Sequence, residues 1–219
     1  MFSNKKLVRG LVAAIRKVED TTLDLLRIGQ IEQEPAVTDR LLAVMEHVIN
    51  GKMIGGVKWT AKTLTDRGKG SQESTYGADF MAVFRASLPD FNVTKGFLAQ
   101  SKLVEPGDSF TSAESKSLKA QCEKMLKYSP ASFVFVYSQQ SGIMVVPAGE
   151  VLAARDCNPH ELTAVSMGKF YELHFECFIG DHSIKSATPS GLADLGPAAT
   201  ARRLFLLSGG HWPAEGRDG

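Results

Sequence analysis

The residues best placed to do chemistry are Asp79, Gln100 and Lys102. Asp79 stands at the start of a short apolar run, Ala78 to Phe84, and Gln100-Ser101-Lys102 closes the next run, Gly96 to Val104. Gln100 and Lys102 are two apart, so on an extended strand both side chains leave the same face. A short connection makes the two runs neighbours, which brings Asp79, Gln100 and Lys102 to one edge. Polar side chains inside apolar strands are costly unless they are paired or put to use. The use that fits is phosphodiester hydrolysis. The Asp79 carboxylate and the Gln100 amide oxygen are hard donors suited to a divalent cation. Such an ion polarises a phosphate and lowers the pKa of a bound water. Lys102 would orient or deprotonate that water and offset charge growing on the phosphorus oxygens. A structural salt bridge between Asp79 and Lys102 is the plainer reading, but it leaves Gln100 without a reason.

The elements that must position this trio follow from hydrophobic period. Residues 5–31 place Leu7, Leu11, Ile15, Val18 and Leu25 at helical spacing. Pro35 interrupts the pattern, and Thr38 reads as the N-cap of a second helix with Leu41, Leu42, Met45, Val48 and Ile49 as its stripe. Gly51 is a stop and Gly55-Gly56 a turn. From Val57 to Leu64 the period is two, which predicts a strand. Residues 66–77 read as a loop, and Pro89-Asp90 as a turn between the two site-bearing runs. A helix is predicted over 112–128, then a hairpin of Phe133–Tyr137 with Ile143–Val146. Beyond Val151 the pattern weakens: 160–180 fits helix or strand, and 189–196 reads as loop. This order predicts an α/β fold, a central mixed β-sheet flanked by helices on both sides. The expected divisions are an N-terminal helical segment (1–33), a core (34–150), its C-terminal extension (151–207) and a flexible tail (208–219).

Gly77-Ala78-Asp79 followed by Gln100-Ser101-Lys102 resembles the PD-(D/E)XK nucleases. More narrowly it is similar to the branch that carries Gln for the acidic residue, found in restriction enzymes of the Mrr type and in phage-defence effectors. The resemblance spans about residues 34–147 and implies a restriction-endonuclease-like core. It also implies a Mg2+-dependent (or Mn2+-dependent) DNA endonuclease whose metal is held mainly by Asp79. Two departures stand out: Ala78 occupies the position of the family's Pro, and Gln100 removes a negative charge. Relatives often supply a further Glu, for which Glu73, Glu34 and Glu46 are the candidates. Family analogy suggests a role in defence against foreign DNA, and work as a homo-oligomer or with a targeting or activating partner. The rivals are an inert protein of the same fold used for binding or assembly, and an RNA-directed nuclease with the same site.

Composition sets the remaining bounds. The net charge of +1 announces neither nucleic acid nor membrane. Residues 51–70 nevertheless carry Lys52, Lys58, Lys62, Arg67 and Lys69 against Asp66 alone. Lys58 and Lys62 share a strand face, and with Arg67 and Lys69 they are candidate phosphate contacts. Lys116, Lys119 and Lys127 read as the wet side of a helix. Three scattered cysteines make no disulfide framework, which suits a reducing, cytoplasmic setting. No apolar run is long enough for a membrane span. Cys157-x-x-His160 and His174-x-x-Cys177 have zinc-knuckle spacing within each pair. Their apolar surroundings favour packing instead. Gly68-Lys69-Gly70-Ser71 lacks full P-loop spacing, and Ser71, Ser74 and Ser101 have no evident His partner. Trp59 and Trp212 read as packing and tail residues.

Overall fold

A computed structural model describes residues 5–65, 77–196 and 199–210. Its centre is one eight-stranded mixed sheet in the order β1-β2-β8-β3-β4-β5-β6-β7. The strands are β1 (Met53–Ile54), β2 (Val57–Thr65), β3 (Ala78–Leu88), β4 (Phe91–Leu103), β5 (Ser132–Ser138), β6 (Gly142–Pro147), β7 (Val165–Ser166) and β8 (Ala201–Gly210). Helices α1 (Lys5–Arg27), α2 (Glu34–Ile49) and α5 (Met167–Phe175) share an apolar layer with one face. On the other face lie α3 (Ser112–Leu126), α4 (Ala148–Ala153) and the short α6 (Pro189–Ala193).

Alternation along the strands divides the core. Phe80, Ala82, Phe84, Phe97, Ala99, Phe133 and Phe135 face α1, α2 and α5. Met81, Val83, Leu98, Val134 and Val136 face α3 and α4. Each strand of the central group is therefore apolar on both faces, as expected where helices cover both sides. Phe97 is the hub of the first layer, with Phe170 edge-on at 5.0 Å and Phe135 stacked at 6.0 Å.

The second helix begins four residues before the expected cap. Gln33 is its N-cap, Glu34 and Pro35 open its first turn, and Thr38 lies inside it. Proline lacks the N–H that a first turn leaves unbonded, and its fixed φ suits that position, so Pro35 starts this helix instead of interrupting it. Thr38 instead bonds back to Glu34 O at 3.2 Å. The 160–180 ambiguity resolves as α5, and 189–196 is partly helical. Residues 208–210 belong to β8 and not to a tail; 211–219, with Trp212, lie outside the described residues.

The largest departure concerns β8, which comes from the stretch with the weakest pattern. It runs parallel to β3 and antiparallel to β2, and so separates these two consecutive strands. The join to β2 is tight: Gly209 sits opposite Trp59, which is fully buried and stacked on Phe84 at 5.8 Å and 14°. A Cβ at position 209 would stand 2.7 Å from the indole ring. Gly209→Ala is expected to cost about 1–3 kcal/mol by overpacking. A urea midpoint equal to wild type would show that the ring has room to move.

Candidate active site

The site lies where β3 begins and β4 ends. These strands pair antiparallel, Phe80 opposite Ala99, so Asp79 and Gln100 fall one step further along the same register. Asp79 has a side chain 14% exposed, and Gln100 is 3% exposed. The Gln100 amide nitrogen donates to Asp79 Oδ2 at 2.6 Å, and the Ser101 backbone N–H donates to the same oxygen at 2.9 Å. A carboxylate accepts only, so the amide must turn its NH2 toward Asp79, leaving its carbonyl oxygen as the atom available to a cation.

Lys102 leaves the same face as Gln100 and pairs with Glu34 at the head of α2. Its Nζ lies 3.3 and 3.4 Å from the two carboxylate oxygens, and Leu103 N–H adds a bond to Oε2 at 3.2 Å. The side chains are 20% and 27% exposed, so this pair is largely withdrawn from water. Burial pushes the Glu34 carboxyl above the usual range; Lys102 and the bond from Leu103 act against this, while the nearby Asp79 charge adds to it. Glu34 is thus placed beside Asp79 and Lys102, as expected of one candidate. Glu46 is not: it sits further along α2, where Oε2 accepts from Thr63 N–H at 3.0 Å. Glu73, Arg67, Lys69, Ser71 and Ser74 lie outside the described residues.

Two groups at the site went unread in the sequence. Arg202, near the start of β8, places Nε 4.0 Å from Asp79 Oδ1, the oxygen that Gln100 does not bond. Its neighbour Arg203 points to the opposite face, where Nη2 bonds Asp39 Oδ2 at 2.6 Å and Pro35 O at 3.3 Å. The second group is a buried set of hydroxyls behind the site. Ser101, alternating to the opposite face from Gln100 and Lys102, meets Thr38 at 2.9 Å and Tyr137 at 3.2 Å, and Thr38 meets Tyr137 at 3.1 Å. This network ties α2 to β4 and β5, which fixes the helix whose first residue is Glu34.

The donor set offers a cation one carboxylate oxygen of Asp79, the amide oxygen of Gln100 and, if Lys102 moves, Glu34. Among the described residues no group of three or more His, Cys, Asp or Glu side chains gathers as a metal site. This sparse set fits Mg2+, which keeps much of its water and takes only one or two carboxylates. The two Cys/His pairs with zinc-knuckle spacing lie toward opposite ends of β4. His160 bonds Val104 O near one end of β4, at 2.9 Å. His174 is buried beside Lys95, whose Nζ bonds the His174 carbonyl, near the other end. Lys95 and Val104 are nine steps apart along this extended run, about 30 Å. Burial, and then the Lys95 charge, hold the His174 imidazole well below its ordinary pKa, so it is a neutral core residue.

Lys58 and Lys62 are exposed on β2, separated from β3 by β8. Of the three lysines expected on the wet side of α3, Lys116 and Lys127 are exposed, whereas Lys119 is partly covered and bonds Ala154 O at 2.8 Å. No helix among the described residues is long and apolar enough to cross a membrane. Comparison of the chain with protein-family models, with curated proteins and with solved structures gives no match in any of the three.

Removal of Lys102 makes a pH-dependent prediction. Glu34 binds its proton more tightly in the folded chain than in the unfolded one. Stability therefore falls with rising pH between the unfolded and folded pKa values. Without Lys102 the folded value climbs further and that window widens upward. Lys102→Met is expected to cost about 1–2 kcal/mol near neutral pH, discounted for partial exposure, and distinctly less near pH 4. Urea unfolding at the two pH values checks this; an equal loss at both would mean Glu34 does not feel Lys102.

Proposed function

We propose that the protein is a divalent-metal-dependent nuclease of the PD-(D/E)XK type, hydrolysing phosphodiester bonds of DNA. The observation that carries this reading is the convergence of Asp79, Gln100, Lys102 and Glu34 at one recessed sheet edge, with a lysine and two carboxylates within a single cluster. In this reading α2, β2–β5 and α3 are the restriction-endonuclease-like core, and β8 is an added central strand.

Asp79 Oδ1, the Gln100 carbonyl oxygen and Glu34 would hold the cation. Bound there, Mg2+ or Mn2+ would polarise the phosphate and lower the pKa of a coordinated water. The rest falls to side chains. Gln100 and the Ser101 N–H fix the Asp79 carboxylate in one orientation, so little reorganisation is needed when charge develops. Lys102, held by Glu34 in the ground state, is within reach of the same edge and offsets charge on the phosphoryl oxygens. Arg202, beside Asp79, supplies a second cation that can contact an entering phosphate.

A second reading, an inert assembly protein, is favoured by one observation. Gln100 satisfies Asp79 and Lys102 satisfies Glu34, so the cluster is also complete as a structural network. The two readings part on metal. Purified protein with Mg2+ or Mn2+ is expected to cleave DNA, offered both as plasmid and as single strand, with EDTA abolishing the activity. Lys102→Ala should lower the rate by about 100-fold or more, the scale seen when one transition-state donor is removed. Asp79→Asn should abolish calorimetric Mn2+ binding. Absence of cleavage together with Mn2+ binding indifferent to Asp79 would establish the assembly reading instead.

A further inference from the structure

The half of the sheet beyond β3 is built without acid. Residues 51–65 and 201–210, which form β1, β2 and β8, contain Lys52, Lys58, Lys62, Arg202 and Arg203 and no Asp or Glu. Arg203 is committed to Asp39 on the α2 side. The register places the others of interest on the opposite face. Lys62 pairs with Leu206, which packs with the α3 layer, and Thr60 pairs with Ser208. Lys58, Thr60 and Lys62 therefore share the face from which Asp79 and Arg202 project. Arg85, opposite Ser208 on β3, joins them, its Nη2 bonded to Lys185 O at 3.1 Å.

This face is open where the helices stop. Lys58, Thr60 and Lys62 are exposed, and Leu64, Leu206 and Ser208 are half-buried. Thr60 and Ser208 join their hydroxyls at 2.7 Å between the two lysines. Cations interspersed with hydroxyls are the groups that bind phosphate oxygens without reading sequence. Trp59 points into the core, so the exposed positions of β2 offer cations and hydroxyls but no aromatic ring for a base to stack on.

We propose that this open face of β2 and β8 is a phosphate track that leads one single strand of nucleic acid to Asp79. The proposal rests on the nuclease reading for what happens at Asp79, but not for the binding itself. Depth decides for a single strand. Asp79 is 14% exposed and Gln100 3% exposed, on the face of the sheet that carries the α3 layer. A stiff duplex holds its phosphates on a fixed outer helix, whereas a lone strand can bend one phosphate down into the recess while the next ones stay on the track. Lys62 stands opposite Leu206, four positions along β8 from Arg202, or about 13 Å. That span matches a few backbone units of one flexible strand.

The test is fluorescence anisotropy with a labelled single strand and with the matching duplex, in EDTA so that nothing is cut. Wild type is expected to hold the single strand more tightly than the duplex, DNA and RNA strands alike. Lys58→Gln/Lys62→Gln should lower the slope of log affinity against log salt by about 1.4, two contacts at about 0.7 each, and weaken binding by about 25-fold near 0.1 M salt. Lys6→Gln/Lys17→Gln, exposed on α1 in the opposite layer, should change neither quantity. Equal duplex affinity, or a track variant that binds like wild type, would overturn the proposal. Lysine-dependent strand binding by a protein that cuts nothing with any metal keeps the track and removes the nuclease reading. Cleavage by wild type alongside unaltered binding by the track variant does the reverse.

Discussion

The pleat of β4 at residues 100–102 is the constraint on which the rest of the site depends. It sends Gln100 and Lys102 to one face and Ser101 to the other, and each face uses what it receives. Toward α3, Gln100 orients Asp79 while Lys102 reaches the Glu34 carboxylate. Toward α2, Ser101 joins Thr38 and Tyr137 in a buried hydroxyl cluster. The Ser101 N–H, lying between the two, donates to Asp79. A slip of one residue would exchange the faces and lose every one of these bonds together. Three consecutive residues thus set the orientation of the acid, the position of the lysine and the docking of the helix that holds the lysine's partner.

The electrostatic arrangement follows from that geometry. Burial first, and then the Asp79 charge, raise the Glu34 pKa, and the cations are distributed to offset the repulsion between the two carboxylates. Lys102 serves Glu34, Arg202 flanks Asp79, and Arg203 is turned through the sheet to Asp39. Neighbouring arginines on one strand therefore do different work: one borders the cluster and the other fastens the start of α2 to β8. Paired polar groups in a low-dielectric setting hold one another in place, which fixes these charges relative to one another.

The part of this design that could be read from sequence is the part made by local alternation. Asp79 and Gln100 lie on two strands joined by a two-residue turn at Pro89-Asp90, so spacing alone predicted their meeting, whereas Lys102 turns to Glu34. Glu34 was recognisable as a residue type, yet Thr38 drew the helix start five positions too late because threonine is a good cap and Pro35 looked like a break. Strand β8 was not legible. Its run Leu204-Phe205-Leu206-Leu207 is apolar on both faces, which suits a buried strand but carries no period. Its neighbours come from residues 57–65 and 78–88, far away in the chain, so nothing local shows that Arg202 stands beside Asp79.

The central place of β8 also bears on timing. Every other described strand precedes it in the chain, yet β8 fills the gap between β2 and β3. During synthesis β2 and β3 must wait with unpaired edges until some hundred further residues have followed, a state that invites pairing with other chains. The acid, the glutamine, Lys102 and the lysines of β2 exist early, but Arg202 arrives with β8. A chain still on the ribosome would therefore carry an incomplete cluster. The order of the strands makes the assembled cluster depend on closure of the sheet by β8.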